Sequence, residues 1–172
     1  MNIVLIGYRG TGKSEVGKLL AEELDMELVG MDAEIVRRAG TPIPEIVENF
    51  GWPGFRDRES ELARDLSGRD GIIVDTGGGI IERPENIEAL KTNAMIFWLK
   101  ASVHIIVNRI QGDTERPALT EGKTFTEEVS EVLEVRTPKY KRASQFEIDT
   151  DDMSPAEVSQ RILDIFRQEK SS

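Results

Sequence analysis

The residues Gly7-Tyr8-Arg9-Gly10-Thr11-Gly12-Lys13-Ser14 carry the pattern G-x-x-x-x-G-K-S. Glycines at these places let backbone N–H groups converge on phosphate oxygens, and a helix beginning directly afterwards adds positive potential. A lysine in seventh place reaches the β- and γ-phosphates, and the following hydroxyl suits Mg²⁺. The pattern predicts a site for a nucleoside triphosphate.

Phosphate binding alone leaves the reaction open. Asp75-Thr76-Gly77-Gly78 follows the apolar run Ile72-Ile73-Val74 and reads as the D-x-x-G element of a nucleotide-dependent switch, with Asp75 near Mg²⁺. A guanine-reading Asn-Lys-x-Asp tetrapeptide occurs nowhere in the chain, which tilts the balance towards a kinase. The same Asp75 can equally be the polar end of a strand.

These groups need elements to hold them. Ile3-Val4-Leu5-Ile6 has the continuous apolar character of a strand buried on both faces. Val16, Leu19, Leu20 and Leu24 then recur at helical spacing, with Glu15, Lys18, Glu22 and Glu23 on the other face. Further strands are predicted at Glu27 to Met31, Ile72 to Val74, Met95 to Leu99 and Phe146 to Ile148. Helices are predicted at Ala33 to Ala39, Pro44 to Phe50, Phe55 to Leu66, after Pro84, and at Val103 to Ile110, Thr126 to Tyr140 and Pro155 to Gln168. Five strands alternating with helices predict an α/β fold with a parallel sheet. The polar stretch 111–123 has no clear period and is read as a mobile lid.

At 172 residues the chain is expected to be a single domain, 1–172. Its hydrophobic share of 38% and charged share of 31% fit a soluble globular protein. A formal charge of −10 argues against a nucleic acid partner. With no cysteine there is neither a disulfide framework nor a thiolate metal site. The apolar run at Ile3 is too short for a leader, and no stretch approaches the ~20 apolar residues of a membrane span. A cytoplasmic enzyme without membrane association is the expectation.

Beyond the phosphate loop, five more motifs follow in order, beginning with Asp32-Ala33-Glu34, then Phe55-Arg56 with Glu59, then Gly77-Gly78-Gly79, then Arg116-Pro117-Ala118-Leu119. Arg136-Thr137-Pro138-Lys139-Tyr140 closes the series. In this combination the chain resembles the shikimate kinase family over nearly its whole length. The resemblance implies a three-layer P-loop kinase fold with sheet order 2-3-1-4-5 and a monomer. It also implies Mg²⁺-dependent transfer of the ATP γ-phosphate to the 3-hydroxyl of shikimate.

The resemblance also distributes roles. Gly7, Gly10, Thr11, Gly12, Lys13, Ser14 and Val16 would hold the nucleotide, with Arg109 and Pro155 on either side of adenine. Ser14 and Asp32 would serve Mg²⁺, the latter through water. Arg56 and Arg136 would clamp the shikimate carboxylate, a task that suits the planar guanidinium fork, and Gly77 to Gly79 would admit the substrate ring. Arg116 in the lid would stabilise the transferring phosphoryl group. Glu34 stands where the family has an aspartate on the acceptor hydroxyl, so the extra methylene alters the geometry and leaves a gluconate-type kinase as a second reading. His104 is given no role, and Trp52, one helical turn before Arg56, is read as a pocket wall.

Overall fold

A computed structural model describes residues 1–110 and 124–172. Its centre is a five-stranded parallel sheet in the order β2-β3-β1-β4-β5, comprising β1 (Asn2–Ile6), β2 (Glu27–Gly30), β3 (Ile72–Asp75), β4 (Ala94–Lys100) and β5 (Phe146–Asp149). Every residue of β1 is buried, which explains why its sequence is continuously apolar rather than alternating. Ile3 and Leu5 point into one apolar layer, and Val4 and Ile6 into the other, the period of two that a pleated strand imposes.

The first layer is packed by α1 (Lys13–Leu24) and α7 (Pro155–Lys170), through Val16, Leu20, Val158, Ile162 and Phe166. On the opposite face stand α2 (Met31–Ala39), α3 (Ile43–Ser67), α4 (Pro84–Leu90) and part of α6 (Phe125–Ala143). A smaller cluster joins α5 (Val103–Ile110) to α6 around Tyr8, Ile106, Ile110 and Val129. The three layers and the strand order are those the resemblance implies.

The separate helices predicted around Pro44 and Phe55 are the two segments of α3, which meet at a break at Gly51, whose φ of 70° lies in the left-handed region. Pro53 follows within the first turn after the break, where its missing N–H costs no hydrogen bond. The second helix begins at Met31 rather than Ala33, and that shift decides which carboxylates reach the site.

Candidate active site

The phosphate loop spans the end of β1 and the start of α1. Gly7 has φ of 146°, and a Cβ there would lie 2.5 Å from the Leu99 carbonyl oxygen on β4, so the first glycine is demanded by both torsion and space. Thr11 Oγ1 donates to the Tyr8 carbonyl at 2.8 Å. The Lys13 Nζ lies over the loop and donates to the carbonyls of Gly7 and Tyr8 at 2.8 and 2.9 Å. Gly10 and Gly12 complete the loop, and the Arg109 Nη1 at the end of α5 donates to the Gly10 carbonyl at 3.1 Å.

A cavity of about 850 Å³ opens above this loop, lined among others by Lys13, Ser14, Asp32, Asp75, Gly77 and Gly78. Ser14 Oγ donates to Asp75 Oδ2 at 2.6 Å. β1 and β3 are hydrogen-bonded neighbours, so the end of β3 delivers Asp75 beside the first turn of α1. Asp32, in the first turn of α2, supplies a further carboxylate to the cavity.

Against Gly78 and Gly79, just outside the residues that line the cavity, sit two buried guanidinium groups. Arg56 is 9% exposed, donates to Glu59 Oε1 at 2.5 Å, and lies 5.2 Å from the centre of the Trp52 ring. Gly79 is what allows it there, because a Cβ on that residue would overlap the guanidinium. Arg136 is 6% exposed, and its Nη1 would be 3.4 Å from a Cβ on Gly78. The two cations therefore border successive glycines, whose Cα atoms are ~3.8 Å apart across a trans peptide. Tyr140 on α6 donates to the Gly78 carbonyl at 2.5 Å and secures the turn; burial raises the pKa of its phenol.

Glu34 lies outside the lining of this cavity. Its carboxylate accepts from Arg37 Nε and Nη2 at 2.8 and 2.7 Å and from Arg38 Nε at 2.9 Å. It lines a separate groove of about 470 Å³ with Arg37, Arg38 and Asp65. The reason is helical geometry. With α2 starting at Met31, Asp32 and Glu34 both lie inside the helix two positions apart, and such residues point to different faces. The hydrogen bonds from Arg37, then those from Arg38, hold the Glu34 carboxyl down at about 2, unsuited to taking a proton from an alcohol.

Two nucleotide assignments also shift. The Val16 side chain is buried beneath the loop in the α1–α7 layer, so it supports the loop from below. Pro155 opens α7 at its first turn, exposed and outside the cavity lining, behind the capping Ser154. Arg116 and the lid expected at 111–123 lie outside the described residues. His104 is exposed, with Nδ1 3.1 Å from Ser102 Oγ, apart from the cavity.

Tyr140 and Glu82 were missed as site residues by sequence reasoning. Glu82 accepts from Arg136 Nε at 3.0 Å and from Lys139 Nζ at 3.2 Å. No motif marks it. The Arg56–Glu59 pair, by contrast, has the i,i+3 spacing that brings helical side chains together.

A parallel sheet carrying this loop, with a hydroxyl–carboxylate pair and a glycine turn backed by two buried arginines beside it, defines a P-loop phosphotransferase. Residues 9–167 match the family model described as shikimate kinase. A shikimate kinase of Caldicellulosiruptor bescii is 36% identical over 99% of this chain and 98% of its own length. One from Thermodesulfovibrio yellowstonii is 40% identical over 94% and 92%. The structure of shikimate kinase from Acinetobacter baumannii in complex with shikimate superposes with a TM-score of 0.94 at 33% identity, covering 99% of this chain and 95% of that one. The chain belongs to the shikimate kinase family.

Proposed function

We propose that this protein transfers the γ-phosphate of ATP to the 3-hydroxyl of shikimate, giving shikimate 3-phosphate and ADP. The observation that carries the reading is the pair of buried guanidinium groups, Arg56 and Arg136, at the successive glycines Gly79 and Gly78, the latter close against Gly7 and Arg9 of the phosphate loop. Each already carries one carboxylate partner, Glu59 for Arg56 and Glu82 for Arg136, and such planar guanidinium forks suit a further carboxylate on a small acceptor. A carboxylate with adjacent hydroxyls satisfies them and turns its reactive edge towards the loop.

Within this reading the phosphate chain lies on the loop amides at the start of α1. Lys13 exchanges its bonds to the Gly7 and Tyr8 carbonyls for phosphate oxygens, so its charge is already at the place where negative charge develops. Arg109, anchored on Gly10, flanks the nucleotide at the open side.

Asp32 takes the part expected of Glu34. Asp32 lines the cavity from the first turn of α2, where its carboxylate can accept from the attacking hydroxyl. Orientation is its first contribution, and removal of the proton as the O–P bond forms is its second.

Asp75 in turn takes the metal part expected of Asp32. A serine hydroxyl and a carboxylate oxygen 2.6 Å apart at the loop are hard oxygen donors of the kind Mg²⁺ accepts. Ser14 and Asp75 would hold Mg²⁺ there, supplying positive charge that offsets the negative charge of the phosphates during transfer. The protein is proposed to act as a monomer in the cytoplasm. Among the described residues no helix is long and apolar enough to cross a membrane.

The test is a coupled assay of ADP release with shikimate, gluconate or no acceptor. Shikimate should accelerate release well above both other arms. Equal rates in all three, from folded protein, would remove the proposed acceptor; stimulation by gluconate alone would favour the second reading of the sequence.

A further inference from the structure

The Arg136 guanidinium is packed among Glu82, Tyr140 and the Tyr8 ring. Its Nε donates to Glu82 Oε1 at 3.0 Å, while its Nη1 lies beside Gly78, which lines the cavity. The other oxygen of Glu82 accepts from Lys139 Nζ at 3.2 Å, one helical turn further along α6. Lys139 therefore braces Glu82 from behind.

The carboxylate stands at a mechanically useful place. Glu82 ends the 3-10 turn Ile80–Glu82 that follows the three glycines, with Ile80 N bonded to Gly77 O at 3.1 Å and Glu82 N to Gly79 O at 3.0 Å. Asn86 Nδ2 adds a bond to the Ile80 carbonyl at 3.0 Å. The glycine turn is thus tied to α6 three times, by Tyr140 to Gly78 and by Arg136 and Lys139 to Glu82.

We propose that Glu82 is a positioning residue for acceptor binding: by engaging the Nε edge of Arg136 it fixes the guanidinium plane and presents the Nη edge to the substrate carboxylate. The inference rests on Arg136 gripping that carboxylate, the reading argued above. Two consequences follow from the geometry. The fork is organised before substrate arrives, which lowers the ordering cost of binding. The net charge of the Glu82–Arg136–Lys139 group is one positive unit, matched to a single carboxylate. Burial opposes ionisation of Glu82, but Arg136 and then Lys139 outweigh it and hold its carboxyl below the ordinary value, so the brace stays charged at neutral pH.

Steady-state kinetics on Glu82→Ala, Glu82→Gln, Arg136→Ala and the double variant Glu82→Ala/Arg136→Ala test this. Glu82→Ala should raise the acceptor KM about 5- to 20-fold, as expected for loss of a charge-assisted hydrogen bond, with the ATP KM unchanged and kcat within about twofold. Glu82→Gln, whose amide oxygen still accepts from Nε, should recover most of the loss. In the Arg136→Ala background the Glu82 change should have no further effect, because Glu82 acts through Arg136. An unchanged or lowered acceptor KM in Glu82→Ala, while Arg136→Ala raises it, would show that Glu82 is idle or competes with substrate and would overturn the proposal alone. An Arg136→Ala variant with normal acceptor KM would instead remove the clamp, and the proposal with it.

Discussion

A carboxylate does chemistry according to what already occupies it. Glu34 is saturated by two arginines, whereas Asp32 faces the cavity and Asp75 faces the loop serine. The account therefore predicts that Asp32→Asn lowers kcat by about 10²- to 10⁴-fold, the usual scale of a positioned acid–base group. Glu34→Gln should leave kcat within about twofold, because no described contact links it to the cavity. A severe loss in Glu34→Gln with intact fold would restore the role that the resemblance implied for it. Asp75→Ala should raise the Mg²⁺ concentration for half-maximal rate at least about tenfold and weaken Mg²⁺-dependent ADP binding by calorimetry, since a metal with few protein ligands leans on each one. An unchanged Mg²⁺ requirement in both measurements would take Asp75 out of the metal site.

At the scale of elements, α2 shows what could and could not be read in advance. Lys13 and Ser14 were legible because strand, glycine turn and helix follow without a gap, so the motif dictates its own geometry. The division between Asp32 and Glu34 was hidden because it depends on two residues at a helix start, the least determinate part of a sequence reading. With Ala33 as the first residue, Asp32 would stand outside the helix; with Met31 first, both acids lie on it and diverge. Glu82 was hidden for a different reason: its partners Arg136 and Lys139 are more than fifty positions away, and only packing of α6 on the glycine turn joins them.

The same helix carries a pH prediction. The Glu34 carboxyl, held at about 2 by Arg37 first and Arg38 second, lies below the ordinary glutamate value of ~4.3. Its pairing therefore supports the fold above about pH 4.5 and is lost as pH falls towards 2. The difference in Tm between wild type and Glu34→Gln should be present at pH 6 and vanish by about pH 2. A difference that grew on acidification would contradict the assignment of the ion pair.

For the whole molecule, the parallel sheet gathers the functional groups at one end. The loop leaves β1, Asp75 ends β3 and the glycines follow it, while Asp32 lies just after β2. Sheet and layers were legible because each strand is a compact apolar run and each intervening helix is amphipathic. A ligand that joins these elements should stabilise all of them together. Saturating Mg²⁺·ADP at ~100 times its Kd adds ~2.7 kcal/mol, or a rise in Tm of about 5–10 °C for a domain of this size. Lys13→Ala should abolish most of that rise while leaving the unliganded Tm little changed. An equal rise in wild type and Lys13→Ala would place the nucleotide elsewhere.

The central claim concerns where the γ-phosphate goes, and phosphorus NMR of protein, Mg²⁺, ATP and shikimate in one sample reads that directly. The account predicts ADP and a phosphate monoester of shikimate appearing in equal amounts, with no monoester when shikimate is left out. ADP accompanied only by inorganic phosphate, at a rate indifferent to shikimate, would contradict it.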